Sequence, residues 1–371
     1  MFKKINIAII GCGRIAGHHC RAITLNTDYN LVAVCDLNKD LATTYSKEFG
    51  VKSYSDYRKM INDNKNIDLI SIVIPSGMHF EHGSEILNDF KKSIVVEKPT
   101  FMTPNQISDA YKIAKKTNLD IFPVFQNRYN KAVQRVNKSL DEFELGKKRI
   151  ISVRVRWCRP QKYYDMTKWR GTFSHDGGAL TNQGIHHIDL LRYLGGEIES
   201  VNCTMKTLGV TNVEVEDTAV ATFKYKDNSV GTLEVTTSAR PDDFEASISI
   251  VGSNGLAQTG GVAVNMLEIF SLNPSECVKY SDDFNDLPDR GKVYDRGHIS
   301  MYKDIADHIN SKKIYPVSEK ECLETIRLLH SCYASDELNK WVDINENIHS
   351  VRLGKKIPYY QKNIEQNNFY L

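Results

Sequence analysis

Two glycines, Gly11 and Gly13, close the apolar run INIAIIG (5–11) and open a segment of helical periodicity. Glycine at both places gives a tight turn and lets main-chain N–H groups approach a pyrophosphate at the start of a helix. Gly11, Cys12, Gly13, Arg14 and Ile15 are therefore expected to hold a dinucleotide. Ala16 stands where a third glycine often does, a place that needs only a small side chain for packing. Asp36 ends the next apolar run, LVAVCD (31–36). A carboxylate there accepts hydrogen bonds from a ribose diol and repels a 2′-phosphate, which favours NAD over NADP. The competing reading is an ordinary turn in which Asp36 caps the following helix.

Glu97-Lys98-Pro99 ends the run SIVVEKP (93–99), at the strand edge where open α/β sheets bind ligands. A lysine there is expected to point into the nicotinamide crevice; a surface lysine beside a turn proline is the alternative. Farther on stands Asp176-Gly-Gly-Ala-Leu-Thr-Asn182-Gln183-Gly-Ile-His186-His187-Ile-Asp189. Asn182 and His186, four apart, are expected to be neighbours on one helix face. The imidazole pKa suits proton abstraction from an alcohol near neutral pH, and His187 points to a different face, so the two histidines cannot share one role. A structural histidine is the competing reading.

The elements that must carry these residues follow from periodicity. Strands are predicted at 5–11, 31–36, 68–75, 93–99 and 120–126, with helices at 15–25, 39–49, 79–90 and 104–118 between them. Continuous Val/Ile runs alternating with helix-length segments imply a parallel sheet covered on both faces. After about Arg128 the pattern changes to period two, in RIISVRVRW, VNCTMKTL, TAVATFKYK, SVGTLEVTT and ASISIVG, with turns at KDNS and GSNG. That pattern implies an open, mostly antiparallel sheet with one wet face and one packed face. Helices are predicted over GIHHIDLLRYLGG, over 301–310 and over 319–338. The fold class is thus α/β plus α+β: a Rossmann domain (1–127), an α+β domain for substrate binding and oligomerisation (128–345) and a C-terminal tail (346–371).

Composition excludes several function classes. The 48 basic and 46 acidic residues leave a net charge of +2, which supplies no global field for a polyanion, so no nucleic-acid partner is expected. No run approaches a membrane span or the apolar core of a signal peptide, and a cytoplasmic, membrane-free protein is expected. The eight cysteines are scattered without a CxxC pair, which implies reduced thiols and no metal site.

EKP with GGAL-x-N-x-G-I-H-H-I-D closely resembles the Gfo/Idh/MocA family of NAD(P)-dependent sugar oxidoreductases. By position, the resemblance implies Lys98 and His186 as the catalytic pair. Many polyol dehydrogenases of the family carry aspartate where this chain has Asn182. The run VRVRWCRPQKYYDMTKWRGTFSHDGGALTNQGIHHIDLL, with FQNRYNKAVQ before it and VEVEDTAVATF and GGVAVN after it, is similar to one subgroup. These are the UDP-N-acetyl-2-amino-2-deoxyglucuronate 3-dehydrogenases of surface-polysaccharide synthesis, which also carry asparagine there. The resemblance implies NAD-dependent oxidation of the C3 hydroxyl of a UDP-linked N-acetylated aminosugar uronate. Dehydrogenation or keto-reduction of inositol, a free sugar or another nucleotide sugar is the alternative; a non-catalytic NAD-binding regulator on the same fold is disfavoured, because it predicts loss of Lys98 or His186 and both are present. The cofactor contacts expected are the Gly11–Ile15 loop, Asp36, Pro75, Ser76, His79, Glu97, Lys98, Gln126, Trp169 and Arg170. The substrate contacts expected are Lys98, Arg128, Arg159, Tyr163, Tyr164, Asn182, Gln183 and His186. A nucleotide-sugar substrate and a homo-oligomer, in this family commonly a tetramer, complete the expectation.

Overall fold

Runs of Val and Ile with no polar alternation build a six-stranded sheet in this computed structural model, which describes residues 4–281, 295–345 and 347–356. The strands are β1 (Ile5–Ile10), β2 (Tyr29–Cys35), β3 (Lys52–Tyr54), β4 (Leu69–Ile72), β5 (Ser93–Val96) and β6 (Ile121–Pro123). Their order is β3-β2-β1-β4-β5-β6, with every pairing parallel. The order reverses direction between β1 and β4, the switch point at which such sheets open a crevice beyond their C-terminal ends. Gly11 leaves the end of β1, Val73–Pro75 the end of β4 and Glu97–Lys98 the end of β5. The sheet has one strand more than the sequence pattern predicts, because β3 is the tripeptide Lys-Ser-Tyr, with no buried residue to give it an apolar signature. The strands predicted at 68–75 and 93–99 stop at Ile72 and Val96, which leaves the residues with chemistry on loops.

This compact unit takes residues 4–126 together with 295–323, and residues 127–281 with 324–356 form a second one. The first is therefore discontinuous. Its returning helix, Asp295–Ile309, buries Tyr302 completely, and the Tyr29 hydroxyl donates to the Tyr302 carbonyl at 2.7 Å. The packing is tight at Gly297, where a Cβ would lie 2.7 Å from the Gln126 carbonyl oxygen.

In the second unit, period-two segments form an eight-stranded sheet from β7 (Lys148–Arg156), β8 (Ile198–Lys206), β9 (Thr218–Tyr225), β10 (Val230–Thr236), β11 (Glu245–Gly252), β12 (Leu256–Gly260), β13 (Met266–Phe270) and β14 (Val342–Asp343). The order is β13-β12-β11-β7-β10-β9-β8-β14, antiparallel except between β7 and β10. Along β9, Ala219, Ala221, Phe223 and Tyr225 are buried while Val220 is exposed. The packed face meets the helix Ile185–Gly195, whose Leu191 carbonyl accepts from the Tyr225 hydroxyl at 3.1 Å. The wet face carries a cross-strand charge ladder in which Arg156 pairs with Glu234 at 2.6 Å and with Glu245 at 3.5 Å. The helix Glu319–Leu338 has its predicted bounds; the one expected over 301–310 begins earlier, at Asp295. Of the expected tail, residues 347–356 are described, with Ser350 and Leu353 buried; the remainder lies outside the described residues. No disulfide joins the eight cysteines. No helix among the described residues is long and apolar enough to cross a membrane.

Candidate active site

Gly11 has φ +99°, and a Cβ there would lie 2.1 Å from the Val73 carbonyl oxygen, so the turn admits only glycine. At Gly13 a Cβ would meet nothing within 4 Å. The main chain therefore faces open space where the following helix, Ala16–Leu25, begins. That helix has no side-chain cap and no acidic residue in its first turn, which leaves its N–H groups and positive dipole end to an anion. Asp36 accepts the Cys12 N–H at 2.7 Å and the Asn38 N–H at 2.8 Å, one bond to each carboxylate oxygen. The cap of the second helix, Lys39–Phe49, is Asn38, not Asp36. These features fit a dinucleotide.

Lys98 is partly exposed and follows a buried carboxylate. Glu97 Oε2 accepts the Lys98 N–H at 3.0 Å, and Oε1 lies 2.9 Å from His19 Nε2 and 3.8 Å from His298 Nε2. His19 Nδ1 is 2.7 Å from the Tyr302 hydroxyl, which in turn lies 3.1 Å from Ser71 Oγ. Burial alone would raise the Glu97 pKa, but hydrogen bonds from His19 and His298 hold it well below the usual carboxylate range. The motif "EKP" marks only Glu97 of this network; His19, Ser71, His298 and Tyr302 carry no sequence signal, because they converge from three separate segments. His79, expected at the cofactor, is fully buried, with ring nitrogens 2.9 Å from the Ile74 and Pro99 carbonyls. It bridges the loops that follow β4 and β5, the former of which carries Pro75 and Ser76. Gln126 is also buried.

The second unit gathers the other candidates. Asn182 lies in a π turn, Ala179–Gln183, that ends at Gly184, and His186 is the second residue of the next helix, so the two do not share one continuous α-helix as their spacing implied. The turn is shaped by Gly178, at φ +86°, where a Cβ would lie 2.3 Å from Glu216 Oε2. Glu216 accepts the Leu180 N–H at 2.9 Å and the Tyr333 O–H at 2.8 Å, and burial pushes its carboxyl up to about 7. His187 is fully buried 5.7 Å from the Trp157 ring, edge to face, and burial pushes its pKa down to about 3. Between Gly171 and Leu191 every residue is buried except Asn182, which is partly exposed.

Around that turn, the Gln183 side chain donates to the Tyr163 hydroxyl at 3.0 Å, and the Arg170 guanidinium stacks 4.0 Å over the Tyr163 ring and 4.7 Å over Trp169. Trp169 and Arg170, expected at the cofactor, thus belong to the second unit. Arg159 donates to Asp243 at 2.8 Å. Two more residues expected at the substrate are buried among partners within this unit. Arg128 is buried, with bonds of 2.7 and 2.6 Å to Asp189 and the Tyr193 ring at 4.5 Å. Tyr164 is buried beside the Thr237 hydroxyl at 3.3 Å. The type of residue, cation or aromatic, could not separate these from surface contacts.

A Rossmann unit with a glycine-rich loop and Lys98, followed by an open-sheet unit that carries the partly exposed Asn182 and the buried His186, fits a nicotinamide-dependent oxidoreductase, and the chain belongs to the Gfo/Idh/MocA family. The family's NAD-binding Rossmann domain matches residues 5–125, and its C-terminal domain matches residues 133–258. Two solved structures are similar over their whole length. The WlbA dehydrogenase of Chromobacterium violaceum, in complex with NADH and UDP-GlcNAcA, is 30% identical over 94% of this chain and 98% of its own, with a TM-score of 0.83. That of Bordetella pertussis, with the same two ligands, is 29% identical over 93% and 100%, with a TM-score of 0.82. Among curated relatives, the Escherichia coli D-glucoside 3-dehydrogenase is 24% identical over 92% of this chain and 98% of its own.

Proposed function

We propose that this protein oxidises the C3 hydroxyl of a UDP-linked N-acetylated aminosugar uronate, with NAD as the acceptor. The observation that carries this reading is the likeness, along nearly the full chain, to two dehydrogenases solved with NADH and UDP-GlcNAcA. NAD, when bound, takes the hydride from the sugar carbon. The Gly11–Ile15 loop and the uncapped helix behind it hold the pyrophosphate, and Asp36 reads the ribose. His186 takes the hydroxyl proton as the C–H bond breaks, and the Lys98 ammonium stabilises the oxygen as negative charge develops on it. Arg159, Tyr163, Asn182 and Gln183 contact the substrate.

The test is NAD reduction with single UDP-sugars, and UDP-GlcNAcA is expected to be the best of them. His186→Asn lowers kcat by about 10²–10⁴-fold, the usual contribution of a general base. His187→Asn leaves kcat within a few-fold but lowers Tm, because the ring fills a core site. A better turnover of inositol or a free sugar, or a dead His187 variant beside a live His186 variant, overturns the assignment.

A further inference from the structure

We infer that His19 is a positioning residue for the reaction: through Glu97 it steadies the main chain of Lys98, and with it the place from which the lysine ammonium reaches the sugar oxygen. The contacts run through the interior of the first unit. Ser71 of β4, Tyr302 of the helix Asp295–Ile309 and His19 of the helix Ala16–Leu25 are fully buried, and Glu97 is nearly so. The Tyr302 hydroxyl lies 3.1 Å from Ser71 Oγ and 2.7 Å from His19 Nδ1. His19 Nε2 lies 2.9 Å from Glu97 Oε1, and Glu97 Oε2 accepts the Lys98 N–H at 3.0 Å. His298 packs edge to face on the His19 ring, with centroids 4.8 Å apart.

Protons fill this chain in one order. Burial drives His19 toward the neutral imidazole, which carries a single N–H, while hydrogen bonds hold Glu97 well below the usual carboxylate range. The proton between the two therefore sits on Nε2, and Nδ1 is the acceptor. Tyr302 donates to Nδ1, and Ser71 donates to the Tyr302 oxygen. Tyr302 thus selects the tautomer, the tautomer supplies the donor to Glu97, and Glu97 takes the Lys98 N–H on its other oxygen. Lys98 has other interactions too; the bond to Glu97 is the one that His19 governs. A reacting group must be held within about 0.5 Å of its productive place, and one carried on a loop depends on buried neighbours for that.

Two substitutions at one position separate this role from packing. His19→Asn keeps an amide near the place of Nδ1, so it can accept from Tyr302 but does not reach Glu97. His19→Gln reaches the place of Nε2 and can donate to Glu97. Tyr302→Phe keeps the ring and removes only the donor that selects the tautomer. The kinetic arm rests on the reading of Lys98 above. With UDP-GlcNAcA, His19→Asn is expected to lower kcat roughly 10–100-fold, the scale of a misplaced group, with the Kd for NAD unchanged. His19→Gln regains most of that loss, and Tyr302→Phe loses less than His19→Asn. A role confined to packing would lower Tm in both His19 variants and leave their kcat values alike. Equal kcat in the two, full kcat in Tyr302→Phe, or weakened NAD binding with kcat intact overturns the positioning role. Should neither His19 variant fold, Tyr302→Phe decides.

Amide hydrogen exchange at Lys98 reads the anchor with no substrate present. His19→Asn and Tyr302→Phe speed it and His19→Gln keeps it slow, while the Glu97 N–H, bonded to the Ile72 carbonyl at 3.1 Å, stays slow throughout as the internal control. If the unmodified protein does not turn over UDP-GlcNAcA, the function reading fails, and the exchange pattern still decides the anchor: unchanged Lys98 exchange in all three variants overturns it. His19, Glu97 and His298 also offer ligand atoms within 4.8 Å of one another. A stoichiometric divalent metal found by elemental analysis of the purified protein would stand in place of the His19–Glu97 proton, and overturns the chain as well.

Discussion

Glu216 gives the fold a pH dependence that a single substitution isolates. In an unfolded chain its carboxyl titrates near 4.5, and in the folded protein burial moves this to about 7. The folded state therefore binds a proton over an interval in which the unfolded state has already lost it. The resulting stabilisation is complete below about pH 4.5, declines as the pH rises through about 7, and changes no further above that. About 2.5 pH units at roughly 1.4 kcal/mol each come to on the order of 3 kcal/mol. Glu216→Gln keeps the shape and the oxygen that accepts from Leu180 and Tyr333, but has no charge to lose or gain. The difference in unfolding free energy, variant minus parent, should grow by about that 3 kcal/mol between pH 4.5 and 8. Urea unfolding followed by tryptophan fluorescence at half-unit pH steps measures it. Parallel stability curves for the two proteins, or a gap that narrows as pH rises, would refute the reasoning.

Arg128→Met should lower Tm by leaving the buried Asp189 carboxylate without its cation, at a cost of about 3–5 kcal/mol; calorimetry showing an unchanged Tm with a raised substrate KM would put Arg128 on the substrate instead. Asp36→Ala should weaken NAD binding and erode its preference over NADP, because Asp36 is the carboxylate at the end of β2 and also holds the Cys12 N–H of the phosphate loop. Titration calorimetry with both dinucleotides checks it, and equal affinities in the unmodified protein would sink the assignment.

Much of this was legible in residue order. The glycine-rich loop, Asp36 and Lys98 sit where strand-end reasoning places them, since a loop motif and the strand that delivers it are adjacent in sequence. The alternation of β9 and β10 announced a sheet wet on one side because every second residue votes on the same question. What failed to show was whatever depends on contacts between distant segments. His19 reads as one more helical residue until Glu97, Ser71, His298 and Tyr302 are brought to it. Arg128 reads as a cation for an anionic ligand until Asp189, sixty-one positions on, takes it. The break between Asn182 and His186 was hidden because Gly184 alone does not mark a π turn.

The discontinuity of the first unit sets how it can be made and handled. A ribosome releases residues 4–126 long before the helix Asp295–Ile309 exists. Until then His19, Glu97 and Tyr29 wait without Tyr302 or His298, and the carboxylate next to Lys98 lacks part of its cover. The NAD-binding unit can therefore complete its core only after most of the chain has been synthesised. For the protein engineer the same fact fixes the cut sites. A fragment ending at Gln126 is missing a wall, the helix Asp295–Ile309.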